Sequence, residues 1–217
     1  MDRQGRDGMK TVISASRRTD MPACYLDVLA GAVQCGYIDV PNPYSGRSYR
    51  VDMSPEHVHT LVLWSKNFGP FLAAAGMFDV YHLYFLFTIN DMPSLEPSVP
   101  PLDDRIAQAV GLAARYGPER VAWRFDPVVF TENGPVMSVR TFERIAAPLA
   151  DAGIARVVFS FLDLYGKVRA RNDRLSLGIV EPSGYEMTNY VRDLAAAANR
   201  HGMILERCAE EGVDVPG

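Results

Sequence analysis

Charged and hydroxyl-bearing side chains recur at one place in this sequence: the downstream end of successive short apolar runs. Val12-Ile13-Ser14-Ala15-Ser16 passes into Arg17-Arg18-Thr19-Asp20, and Leu61-Val62-Leu63-Trp64 into Ser65-Lys66-Asn67. A third run ends Phe87-Thr88-Ile89-Asn90-Asp91. In Val121-Ala122-Trp123-Arg124-Phe125-Asp126-Pro127, Arg124 and Asp126 stand two apart and share one face of an extended chain, with Trp123 and Phe125 on the other. Ser160-Phe161-Leu162-Asp163-Leu164-Tyr165 is followed by Lys167, Arg169 and Arg171, and Ile204-Leu205 by Glu206-Arg207.

Charges placed repeatedly at one end of apolar strands need either partners or a water-accessible hollow, because an unpaired buried charge costs several kcal/mol. The set is mostly cationic, and the arginine fork suits carboxylate or phosphate. Two readings stay open for Arg124–Asp126 and Arg17–Asp20: contacts to an anionic ligand, or ion pairs internal to the fold. Trp64 and Tyr165 can stack on a ligand or pack in the core. His57, His59, His82 and His201 are scattered with no matching ligand set, so no metal site is expected. Cys24 and Cys35 read as buried small hydrophobes, and Cys208, beside Arg207, as the more reactive thiol. Nucleophile elbow, phosphate-binding loop and dinucleotide fingerprint are all missing from the sequence.

The elements that must carry these residues alternate. Strands are expected at 11–15, 60–64, 83–88, 120–125, 155–161 and 203–206, and helices at 23–34, 103–116, 139–151 and 185–201. Ile106, Val110 and Ala113 mark the expected inner face of the second helix, and Phe142, Ile145, Ala146 and Leu149 that of the third. Gly117, Gly153 and Gly202 sit where left-handed helix ends are favourable. The segment 37–53 breaks the rhythm, with Ser45-Gly46-Arg47 as the turn of an inserted antiparallel hairpin. The stretch 93–101, with four prolines, reads as a loop. About six β–α units of this kind predict α/β architecture, a partial TIM-like (β/α)6 barrel with parallel strands, in one domain.

Composition narrows the function classes. The 217 residues are 48% hydrophobic and 22% charged, which is globular rather than disordered. A net charge of −4 supplies no basic field for indiscriminate nucleic-acid binding. No apolar stretch approaches the ~20 residues of a membrane helix, and residues 1–10 have no secretion-signal character, so a cytoplasmic protein with three reduced thiols is expected.

The segments Ile13-Ser14-Ala15-Ser16-Arg17-Arg18-Thr19-Asp20-Met21-Pro22, Asn42-Pro43-Tyr44, Ser54-Pro55-Glu56, Trp64-Ser65-Lys66-Asn67, Trp123-Arg124-Phe125-Asp126-Pro127 and Ser160-Phe161-Leu162-Asp163-Leu164-Tyr165 resemble, in order, the bacterial family called domain of unknown function 1848. That family is similar to the partial, six-unit barrel of radical S-adenosylmethionine enzymes, especially the spore photoproduct lyase type, and the family's own members usually carry a C-terminal cysteine cluster. The resemblance implies S-adenosylmethionine and an iron–sulfur cluster as cofactors, the latter only with cysteines beyond residue 217. The three cysteines present cannot form a CxxxCxxC-type set. Strand ends and resemblance together nominate Ser14, Ser16, Arg17, Arg18, Asp20, Asn42, Tyr44, Trp64, Lys66, Asn67, Thr88, Asn90, Arg124, Asp126, Ser160, Asp163, Tyr165 and Glu206 as ligand-binding. Two functions follow: a radical-type barrel enzyme acting on an anionic or nucleotide-like substrate, or a non-catalytic domain binding or sensing a small anion or nucleic acid. Nucleic-acid repair rests on fold kinship alone.

Overall fold

A computed structural model describes residues 10–16 and 18–208. The chain is α/β, with a six-stranded parallel sheet in the order β1-β4-β5-β6-β9-β11. Among the described residues no ladder joins β11 back to β1. Two compact units divide the chain at Leu86/Phe87, within β5.

The first unit contains β1 (Thr11–Ser14), α1 (Met21–Cys24), α2 (Leu26–Cys35), β2 (Tyr37–Pro41), β3 (Ser48–Asp52), β4 (Val58–Ser65), α3 (Gly69–Ala73) and the start of β5 (Leu83–Thr88). The helix expected over 23–34 is two helices, broken at Tyr25. Its real start lies earlier because Asp20 caps α1, its Oδ1 accepting from the Ala23 N–H at 3.0 Å. Cys24 and Cys35, expected to be buried, are the last residues of α1 and α2 and are exposed, while Met21, Pro22, Leu29 and Ala32 form the buried sides of these helices. The hairpin forms as expected, Tyr37 opposite Asp52 and Pro41 opposite Ser48. Its loop is longer than a tight turn: the Asn42 side chain accepts from the N–H groups of Tyr44 and Ser45, and Gly46 takes the positive φ of +65°. The core of this unit is Phe68, Phe71, Phe78 and Phe85, packed edge to face or tilted at 5.1–6.0 Å between ring centroids.

The second unit contains α4 (Leu102–Tyr116), β6 (Val121–Val128), β7 (Phe130–Thr131), β8 (Gly134–Pro135), α5 (Val139–Asp151), β9 (Arg156–Phe161), α6 (Gly166–Leu175), β10 (Ile179–Val180), α7 (Gly184–Arg200) and β11 (Ile204–Arg207). Each long helix starts from a sequence signal. Ser138 caps α5 by accepting from the Thr141 N–H, and Ser183 with Glu186 forms a reciprocal capping box on α7. The apolar stripe of α5 is fully buried, and Phe142 packs on Trp123 and Phe125 at 4.8 and 5.2 Å. On α4 the buried face is Arg105, Ala109, Leu112 and Ala113. It is rotated from the expected Ile106–Val110–Ala113 stripe, and Val110 is exposed. The cause is Arg105, which turns inward to donate to the Asn90 carbonyl at 2.7 Å. The sequence reading missed α6, which buries nothing, and the small antiparallel sheet β10-β7-β8.

Candidate functional site

In the second unit, the downstream ends of β5, β6 and β9 carry a closed polar network. The extended backbone of β6 places Arg124 and Asp126 on one face, and Trp123 and Phe125 point to α5, as their alternation predicts. The Arg124 guanidinium donates to Asp126 Oδ2, from Nε at 3.2 Å and also from Nη2. The other carboxylate oxygen accepts from the Ser160 hydroxyl of β9. Asn90 is completely buried and holds the Asp126 peptide from both sides: its Nδ2 donates to the Asp126 carbonyl at 2.8 Å, and its Oδ1 accepts from the Asp126 N–H at 3.1 Å. Trp123 Nε1 donates to the Ile89 carbonyl at 2.9 Å. Thr88 is buried at the end of β5. Arg105 lies behind Asn90, and burial pushes its guanidinium pKa down. Thus Asp126 meets Arg124, Ser160 and Asn90, the ion-pair reading of this strand end.

The first unit divides its nominated residues between structure and cavity. Asp20 is structural at both oxygens, since Oδ2 accepts from the Lys66 N–H at 2.9 Å. Asn67 accepts from the Gly69 N–H, and its own N–H donates to Ser65 Oγ, so the turn after β4 is self-bonded. Trp64 is half-buried, and the Ser16 hydroxyl is buried without a hydrogen-bond partner among the described residues. Arg17 lies outside the described residues.

Ser14 and Arg18, by contrast, line a cavity of about 780 Å³. Its walls come from β1 (Ile13), α1 and α2 (Met21, Val28, Leu29) and the hairpin strands (Ile38, Val40, Tyr49, Val51). Arg18 is fixed at its mouth, where Nη1 donates to the Pro41 carbonyl at 2.7 Å. Asp39, on the same wall, is neutralised by a two-pronged bond from Arg50 at 2.9 Å, which holds its carboxyl below the usual carboxylate range. Arg18 is therefore the lining cation with no carboxylate partner among the described residues. The volume falls in the range of roughly 300–1,000 Å³ that small-molecule sites occupy.

The remaining nominees stand elsewhere. Asn42 serves the hairpin loop, and Tyr44 at its tip is 98% exposed. Glu206 accepts two bonds from Arg156 on the neighbouring strand, and Asp163 is exposed. Tyr165 lies at the rim of a second cavity. Sequence reasoning did not anticipate the hairpin as a cavity wall; the alternation Ile38, Val40 against Tyr49, Val51 was the available signal.

Cys24 ends α1, Cys35 ends α2 and Cys208 follows β11, and the described residues hold no group of three His, Cys, Asp or Glu side chains placed to take a metal ion. These residues do not fit an iron–sulfur cluster. No helix among the described residues is long and apolar enough to cross a membrane.

Six parallel strands with helices between them, and polar groups at the downstream strand ends, define an α/β protein. The chain matches, over residues 12–215, the family described as domain of unknown function (DUF1848), and it belongs to that family. No curated protein matches it.

Proposed function

We propose that this chain binds a small anionic, nucleotide-like ligand in the cavity of its first unit, with Arg18 gripping the anion and Ser14 adding a hydroxyl. One observation carries the reading: a mostly apolar cavity of about 780 Å³ whose lining cation, Arg18, has no carboxylate partner among the described residues. Apolar walls of valine, isoleucine, leucine and methionine suit the flat face of a base, and an arginine held by a backbone carbonyl is pre-positioned for phosphate or carboxylate. Asp39 does not repel the ligand because Arg50 holds its charge.

The test is calorimetric titration of the chain with adenosine monophosphate, inorganic phosphate and S-adenosylmethionine. Arg18→Ala should weaken the nucleotide by about tenfold or more, equivalent to ~1.4 kcal/mol. Equal affinity in the two proteins removes Arg18 from the site, and no heat with any of the three ligands sinks the binding reading.

A radical S-adenosylmethionine-like enzyme is the second reading, and the strand order supports it. Six parallel strands that neighbour one another in chain order are wound in one direction only, which is the pattern of a partial (β/α)6 barrel rather than of a doubly wound sheet. No step of such a reaction is assigned to Cys24, Cys35 or Cys208. Heat with S-adenosylmethionine and none with adenosine monophosphate in the titration above would favour this reading over simple nucleotide binding.

A further inference from the structure

The second unit has its own cavity, of about 300 Å³, that none of the roles above uses. Its walls are apolar, built from Met92 and Leu95 before α4, Pro127 and Val129 of the β6 end, and Leu162 and Ile179. Its mouth is different. Lys167 and Arg171, one turn apart on α6, both border it, and no carboxylate among the described residues pairs with either. Tyr165 stands beside them, 60% exposed. The one acidic residue on the lining, Glu96, faces the buried Arg105, whose guanidinium feels its charge. That leaves the mouth net cationic above an apolar chamber.

The polarity of α6 makes sense in these terms. The helix buries no residue, so its place in the fold is not explained by a core face. What it does is carry Lys167, Val168, Arg171 and Asn172 to the cavity. Asn172 is itself fixed by two hydrogen bonds with the Ile179 backbone, at 2.8 and 3.0 Å, which ties the helix to the opposite wall.

We infer that this cavity is a binding site for a small organic carboxylate with a compact apolar body, the body between Val129, Leu162 and Ile179 and the carboxylate at Lys167 and Arg171. The volume is at the lower limit of ligand sites, which suits a single ring or a branched chain and excludes a whole nucleotide. The site is separate from the cavity of Arg18 and does not depend on it.

The probes are phenylacetate and 4-methylpentanoate, with benzyl alcohol and benzylamine as neutral and cationic counterparts, titrated into the full chain by ligand-observed NMR and calorimetry. Phenylacetate should bind better than either counterpart. The double variant Lys167→Ala, Arg171→Ala, at exposed positions that the fold does not need, should weaken phenylacetate by about tenfold and leave benzyl alcohol unchanged. Leu177→Trp, which fills the chamber from a half-buried position, should abolish carboxylate binding while far-ultraviolet circular dichroism stays that of the parent. Arg18→Ala should change nothing here, which separates this site from the nucleotide reading. The inference is overturned if phenylacetate binds no better than benzyl alcohol, if the double variant binds it as the parent does, or if neither carboxylate binds.

Discussion

Replacing Asp126 by alanine strands a guanidinium. The Arg124 side chain is 9% exposed and that of Asp126 17%, so neither charge has bulk water to fall back on. Breaking such a pair by removing one partner costs about 3–5 kcal/mol, because the remaining charge stays buried and uncompensated. Ser160 loses its acceptor at the same time. In a chain of this length ~1 kcal/mol corresponds to about 2–4 °C, which puts the loss in melting temperature at roughly 6–20 °C. Trp123, on the same strand and 1% exposed, reports on this region by its emission once Trp64 is replaced by phenylalanine to silence the first unit. Urea unfolding of that background should show Asp126→Ala strongly destabilised and Arg124→Met, Asp126→Leu less so, since the pair replaced as a whole leaves no orphan charge. A single-variant loss below about 1 kcal/mol, the scale of a surface ion pair, would refute the argument that this network is closed and buried.

Other outcomes follow from the same geometry. Tyr190 is buried, and burial pushes its phenol pKa up; the hydroxyl donates to the Met137 carbonyl. Its ionisation should be missing from a spectrophotometric titration of the folded chain and be recovered when the chain is unfolded, and Tyr190→Phe should cost about 1–3 kcal/mol in urea unfolding by leaving that carbonyl unsatisfied. Asp52 has its carboxyl pulled down to about 2, first by the Ser54 N–H, then by the Ser54 hydroxyl and His57. A folded-state value below the unfolded one contributes stability above the unfolded pKa that is lost as pH falls. The end of the hairpin should therefore loosen between about pH 4 and pH 2, seen as shifts of the Ser54 and His57 amide resonances, and Asp52→Asn should remove that pH dependence. Ser183→Ala should destabilise by about 1 kcal/mol through loss of the α7 cap, measured by thermal unfolding.

The strands and long helices were legible because each carried a periodic apolar signal: β5 and α5 occur at the residues expected. Period-two spacing alone placed Arg124 and Asp126 on one face of the strand and Trp123 on the other. Helix α6 was illegible for the opposite reason, since Gly166–Leu175 has no buried residue and so no apolar stripe. The rotation of α4 could not be read because it depends on an arginine finding a backbone carbonyl from Asn90, fifteen residues away. Ser14 and Arg18 were picked out by their place at and just after the end of the first strand, but the cavity they line needed the hairpin, whose inner residues look like ordinary strand alternation. Asp20, Asn42 and Asn67 share their residue types with ligand contacts, and their bonds to nearby backbone are what distinguish them.

Asn90 has one more implication. Its amide presents a donor and an acceptor to the Asp126 peptide much as another stretch of main chain would, so a side chain stands in for a rung of sheet where β5 has already ended. Aspartate at this position would face the Asp126 carbonyl with oxygen, and glutamine would overshoot by a methylene. The seam is therefore written in a single amide, and its failure would unfasten the end of β6 without touching a residue of the apolar interior.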